Sequence, residues 1–305
     1  MSAARDELAV VRQALAAAAA LRAADQLGVL ERLGGAGADA VELAHACGLD
    51  ERGARQLLAA LGSLGVVARD SDGAYRIASG EPARTRALLR RWNALPAALR
   101  GVAGSASDEA GDPELLAALG AEAVERLESR LIPAAGDILD LSADAAFVLG
   151  YTRGAPAVRV STRDRPRVRE QVAVAAQEGR FTFLPDDPAD SAATYDRALL
   201  CFGCQQRGPE ANRRLFGHLF DRLRPGGALL LLELLPNERL DGPRAAILYA
   251  LDLVAQGGSG CLYPFSSYAS WLRDAGFEAI ERLNPHLPLP VELIAARRPG
   301  EPEEA

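Results

Sequence analysis

From residue 136 onward the chain alternates short, almost uninterrupted apolar runs with amphipathic stretches. That alternation restricts the second half more than any other feature. Runs such as Ile138-Leu139-Asp140-Leu141 and Ala228-Leu229-Leu230-Leu231-Leu232 leave neither strand face polar, so both faces must be covered. A strand buried on both faces belongs to a mostly parallel sheet with helices on either side. Strands are expected at 137–141, 157–161, 180–184, 196–201 and 227–233, with two more near 278–283 and 291–296. The fold class is α/β, a doubly wound, mostly parallel sheet, in which ligands sit at the carboxyl ends of the strands.

The first eighty residues follow a different rhythm. Residues 5–34 are rich in Ala and Leu, with Leu8, Val11, Leu15, Ala18 and Leu21 at helical spacing, and Gly34-Gly35 ends the pattern. A short helix is expected at Ala40–Cys47. A third follows Asp50 as N-cap, with Ala54, Leu57, Leu58, Leu61 and Leu64 on one face. The alternation around Asp70-Ser71-Asp72-Gly73 predicts a hairpin. Three helices and a hairpin make a winged helix over residues 1–80. The third helix opens Glu51-Arg52-Gly53-Ala54-Arg55-Gln56, a polar face too weak in cation for a DNA groove. Pairing with another subunit through the apolar first helix is expected instead, as a homodimer or a heterodimer. Residues 81–135 read as connecting helices interrupted by the loop 104–113, residues 136–298 as the α/β domain, and 299–305 as a disordered tail.

Charge and composition exclude several functions. The net charge is −7 and all 34 basic residues are arginine, so lysine Schiff-base chemistry and a P-loop lysine are absent. An acidic chain without a basic tract does not suit nucleic acid. The longest apolar run, Ala14 to Leu21, is too short to span a membrane, and no signal-peptide pattern follows it, so a cytoplasmic location is expected. Cys201 and Cys204 have redox or half-zinc-site spacing, but Cys47, Cys261 and the histidines His45, His218 and His286 are scattered. No metal site is expected.

Several stretches, in order and at consistent spacing, carry a resemblance: "ALRAADQLGVLERL", "AVELAHACGLDERGARQLLAALGSLGVV", "RLRPGGALLLLELLP", "DLVAQGGSG" and "YASWLRDAGFEAIERL". Together they resemble the two-domain, S-adenosylmethionine-dependent small-molecule O-methyltransferases, over nearly the whole chain. The resemblance implies a class I methyltransferase fold after the dimerisation domain. It also aligns the family's glycine-rich cofactor loop with Asp140, Leu141, Ser142, Ala143, Asp144, Ala145 and Ala146. The first acid is kept, and Ser142, Asp144 and Ala146 stand where glycines are usual. Asp164 matches the acid that grips the ribose hydroxyls, and Asp186 the acid near the adenine amine. In this reading Asp140, Asp164 and Asp186 are vestigial cofactor-binding residues.

The catalytic end departs as well. By the resemblance, Cys204 falls where the family has its histidine base and Gln205 where it has the adjoining Asp. A thiol of ordinary pKa is a poor base near neutrality. Of two glutamates that flank that histidine, Glu233 is retained and the other falls on Leu262. Glu233, Cys204 and Gln205 are the candidate catalytic residues. His286, Tyr263 and Trp271, with Tyr268, are candidates for the substrate pocket. Side chains in place of glycines impose positive φ on residues with a Cβ and fill cofactor space. The expectation is therefore an enzyme of natural-product biosynthesis that needs no cofactor and does not methylate. It would act on a small molecule by cyclisation, intramolecular displacement or elimination. The alternatives are an active S-adenosylmethionine-dependent O-methyltransferase and a non-catalytic partner subunit.

Overall fold

The computed structural model describes all residues except 1, 36, 79–80, 102–112, 128–130, 132–133, 143, 176, 185–192, 258, 288 and 301–305. The expected loop at 104–113 therefore lies almost entirely outside the described residues, and so does most of the expected tail. Two compact units divide the chain, Met1–Ala94 and Leu95–Ala305.

In the first unit, helix α1 (Ser2–Gln26) is followed by α2 (Val29–Leu33), α3 (Ala40–Cys47) and α4 (Glu51–Ser63). The single helix expected over 5–34 is broken. Gly28 adopts φ 71°, a left-handed conformation that ends one helix and redirects the next. Asp39 and Asp50 cap α3 and α4: the Asp39 carboxylate accepts from the amides of Val41 and Glu42, and that of Asp50 from Arg52 and Gly53. Strands β1 (Val67–Arg69) and β2 (Tyr75–Ile77) pair antiparallel. The Asp70 carboxylate holds their turn by accepting from the amides of Asp72 and Ala74. Ala24, Leu30, Leu33, Leu43, Leu58 and Leu61 form the core. Val10, Val11 and Leu15 on α1 are left exposed.

Helix α5 (Glu81–Ala98) spans the division between the units. The second unit comprises α6 (Pro113–Glu125), β3 (Ala135–Asp140), α7 (Ala146–Tyr151), β4 (Ala157–Arg163), α8 (Pro166–Val174) and β5 (Phe181–Leu184). It continues with β6 (Tyr195–Cys201), α9 (Pro209–Arg222), β7 (Leu223–Leu234), α10 (Arg244–Gln256), α11 (Phe265–Asp274), β8 (Glu278–Leu283) and β9 (Val291–Arg297). The sheet order is β5-β4-β3-β6-β7-β9-β8, parallel from β5 to β7, with β9 antiparallel to both neighbours. Successive residues of one strand serve opposite cores: Ile138 and Leu230 pack on one face, Leu139 and Leu231 on the other.

Strand β7 starts four residues earlier than the apolar run alone predicts. The extension is possible because a Cβ on Gly227 would lie 2.8 Å from the Arg224 carbonyl oxygen. The Pro299 carbonyl accepts from the Gly226 amide at 3.1 Å. None of the described helices is long and apolar enough to cross a membrane. Strands are added outward in one direction from β3 to β5 and in the other from β6, so the switch between the parallel strands β3 and β6 puts the ligand crevice beside their carboxyl ends.

Candidate active site

At the end of β3, Asp140 is fully buried and accepts hydrogen bonds from the Ser142 hydroxyl (2.7 Å), the Ser142 amide (3.2 Å) and the Thr162 hydroxyl (3.3 Å). Burial pushes its carboxyl up to about 6, against the pull of these donors. The Ser142 hydroxyl in turn accepts from the Cys201 amide at 3.0 Å, so one side chain joins β3 to β6 across the crevice. Further along, the Ala145 amide donates to Gln171 Oε1 (2.7 Å) and the Ala146 amide to Asp144 Oδ1 (2.8 Å). Burial also raises the Asp144 carboxyl.

The strain expected from the missing glycines is not present at the described positions. Positive φ among non-glycine residues occurs at Phe202, Leu240, Ala279 and His286, and not at Leu141, Ser142, Asp144, Ala145 or Ala146. Ala145 sits at φ −91°, ψ 0°. The side chains of Gln171 and Asp144 thus satisfy the Ala145 and Ala146 amides.

At the end of β4, Asp164 is half exposed, and its amide donates to the Leu184 carbonyl of β5 at 3.0 Å. Its carboxylate is held by both arms of the Arg169 guanidinium, the Nη2 contact being 2.7 Å, and this pair keeps the carboxyl below its usual range. Arg169, on the first turn of α8, also lies over the Phe183 ring with its guanidinium carbon 4.2 Å from the centroid. Asp186 lies outside the described residues.

Beyond β6 the chain makes a one-turn 3₁₀ helix, Cys204–Gln206. Glu233 Oε1, at the end of β7, accepts from the Cys204 amide at 2.7 Å. The structure thus brings Glu233, Cys204 and Gln205 together, and all three are fully buried. Burial raises Glu233 to about 7 and drives the Cys204 thiol well above its ordinary value. Gln205 Nε2 donates to the Tyr249 hydroxyl at 2.9 Å. The segment after α10 closes tightly on this turn. The Cys261 amide donates to the Gln205 carbonyl at 2.9 Å, and a Cβ on Gly260 would lie 2.7 Å from that same oxygen.

The residues expected to line a substrate pocket have other surroundings. Trp271 and Tyr263 pack with Tyr268 and Phe216 in the core, the Tyr263 and Trp271 rings 4.8 Å apart. Tyr263 donates its hydroxyl to the Arg207 carbonyl at 2.7 Å. His286 is exposed on the β8–β9 loop at φ 54°, its amide donating to Asn284 Oδ1 (2.7 Å) and its carbonyl accepting from Arg126. Sequence reasoning missed Arg169, Phe183, Gln171 and Tyr249. Only Arg169 carried a signal, five residues past an acid at a helix start.

No family model matches the chain. Among curated proteins it is 28% identical over 295 residues to the 3-hydroxy-5-methyl-1-naphthoate 3-O-methyltransferase of Streptomyces sahachiroi, covering 84% of each chain. It is 26% identical over 304 residues to the tetracenomycin polyketide synthesis 8-O-methyl transferase of Streptomyces glaucescens, covering 85% of this chain and 87% of that one. Among solved structures, human N-acetylserotonin methyltransferase in complex with S-adenosylmethionine superposes with a TM-score of 0.65 at 20% identity, over 94% or more of both chains (97% and 98%).

These findings overturn two expectations. Homologues along both units are methyltransferases, which contradicts a non-methylating cyclase or lyase. Methyl transfer needs a methyl donor, so the same homologues contradict the expectation that no cofactor is used. The positive φ assumed in the steric argument behind both is not found at the described loop positions. The chain is a homologue of the S-adenosylmethionine-dependent small-molecule O-methyltransferases and carries their class I fold.

Proposed function

We propose that the chain is a natural-product O-methyltransferase that transfers the methyl group of S-adenosylmethionine to a phenolic hydroxyl of an aromatic small molecule. The observation that carries this reading is the sequence relationship, through most of both chains, to enzymes named for methylating an oxygen on a naphthoate and on a tetracenomycin. The described residues suit the cofactor's parts. Asp164 offers two carboxylate oxygens to a vicinal diol, the Phe183 ring offers a flat face to a purine, and Asp144 offers a carboxylate to an ammonium group. S-adenosylmethionine supplies an electrophilic methyl group on its sulfonium.

The chain's own contribution is orientation and exclusion of water. With a buried, protonated thiol at 204 there is no imidazole to take the acceptor's proton. Transfer then relies on proximity and on an acceptor hydroxyl that ionises readily. Glu233 is a positioning residue that fastens the 203–206 turn to the end of β7. The test is a panel of hydroxylated aromatic acids and quinones set against the same compounds without the free hydroxyl. Methylation confined to the hydroxylated members supports the reading, and methyl transfer to carbon or to nothing overturns it.

The exposed Val10, Val11 and Leu15 of α1 support assembly through the first unit in a cytoplasmic dimer. Light scattering is expected to give about twice the 32.2 kDa chain mass. A monomer at micromolar concentration would contradict this.

A further inference from the structure

The Asp164–Arg169–Phe183 cluster has a feature that cofactor binding alone does not explain. Asp164 and Phe183 are the acid and the aromatic face that a nucleoside would use at the ends of β4 and β5, and a single guanidinium engages both. One side of Arg169 is fixed to both carboxylate oxygens, and its guanidinium carbon lies over the ring. A guanidinium and a ribosyl purine are rivals there. Each presents paired N–H or O–H donors to a carboxylate and a flat π surface to a ring. The pair is half exposed, with side-chain exposures of 53% for Arg169 and 44% for Asp164, so opening it exposes no buried charge. Arg169 stands on the first turn of α8, where rotation of its own side chain clears the site without moving the helix.

We infer that Arg169 is an internal competitor for the nucleoside subsite: it holds Asp164 and covers Phe183 until the cofactor's ribose and adenine displace it. The inference rests on the proposed methyltransferase reading. It makes Arg169 a residue that sets cofactor affinity without contributing a contact to the bound ligand.

An exposed ion pair and an exposed cation–π contact are each weak. Releasing both is expected to change affinity by roughly three- to tenfold. The test is calorimetric titration of the full-length protein and its Arg169→Met variant with S-adenosylhomocysteine. Methionine keeps the apolar stem over Phe183 and removes the rival donors. Arg169→Met is expected to bind about three- to tenfold more tightly. Raising the salt concentration should narrow the gap in affinity between parent and variant, because only the parent has the Arg169–Asp164 pair to screen. Unchanged or weaker binding by Arg169→Met, with the parent binding normally, overturns the competitor role and leaves the methyltransferase reading standing. Absence of binding by both overturns the two together. A melting scan of Arg169→Met without ligand confirms that the variant folds.

Discussion

S-adenosylhomocysteine at about a hundredfold excess over its dissociation constant is expected to raise the melting temperature by roughly 5–10 °C. The figure follows from a stabilisation of about 2.7 kcal/mol at that excess and from ~2–4 °C per kcal/mol for a unit of this size. Asp164→Ala should reduce the shift at fixed ligand concentration. Hydrogen bonds to a charged acceptor contribute about 1.5–3 kcal/mol each, so losing the carboxylate weakens binding by at least tenfold. The variant removes an exposed side chain, and its unliganded melting temperature should stay within a degree or so of the parent. No shift in the parent at millimolar ligand would contradict the placement of the nucleoside at Asp164 and Phe183.

Replacing the buried Glu233 by Gln is expected to flatten the dependence of stability on pH and to stabilise the protein above neutrality. Glu233 is raised from 4.5 to about 7 by burial. A group whose folded-state pKa is raised stabilises fully below its unfolded value, and that contribution disappears as pH rises through the folded value. For Glu233 the window is pH 4.5 to 7, and the contribution lost across it is about 3 kcal/mol. Asp140, raised from 3.8 to about 6, acts in the same direction over a lower window. Asp137 and Asp196, held below their usual range by Arg159 and Arg224, act in the opposite direction, but only below about pH 4. Between pH 5 and 7.5 the raised acids therefore set the slope.

Glu233→Gln keeps the shape of the site and an acceptor for the Cys204 amide, so melting curves at pH 8 should lie several degrees above the parent. Parallel pH profiles for parent and variant would show that Glu233 does not carry this slope. The same variant separates positioning from proton transfer. A change in KM or kcat with an unmoved pH–rate midpoint is expected, because the proton of the acceptor does not pass through this buried group.

The apolar runs were enough to read the central strands of the sheet, since a strand covered on both faces is mostly apolar, with Asp140 and Glu233 as buried exceptions near the strand ends. Asp39, Asp50 and Asp70 show the same legibility at short range, each satisfying amides within a few residues of itself. What could not be read is instructive. Gly28 breaks the first helix from inside an apolar pattern that continues across it. The loop after β3 lacks glycine, and a count of lost glycines suggested a dismantled site. Gln171, twenty-six residues from Ala145 in the chain, supplies an acceptor to the loop, a contact that no local pattern shows. Likewise the burial of Cys204 depends on Glu233 and on the close approach of Gly260, contacts between distant segments. Substitutions within a motif speak to chemistry only once the conformation of the motif is known.

Methyl transfer itself tests the account most directly. Purified protein is incubated with S-adenosylmethionine carrying a deuterated methyl group and with a hydroxylated aromatic acid, and the products are resolved by mass spectrometry. The account predicts a product bearing the intact deuterated methyl group on oxygen, formed in equal amount with S-adenosylhomocysteine. It also predicts that Asp164→Ala loses most of this activity at low cofactor concentration. A changed aromatic product without the label, formed equally well when S-adenosylmethionine is left out, would contradict it.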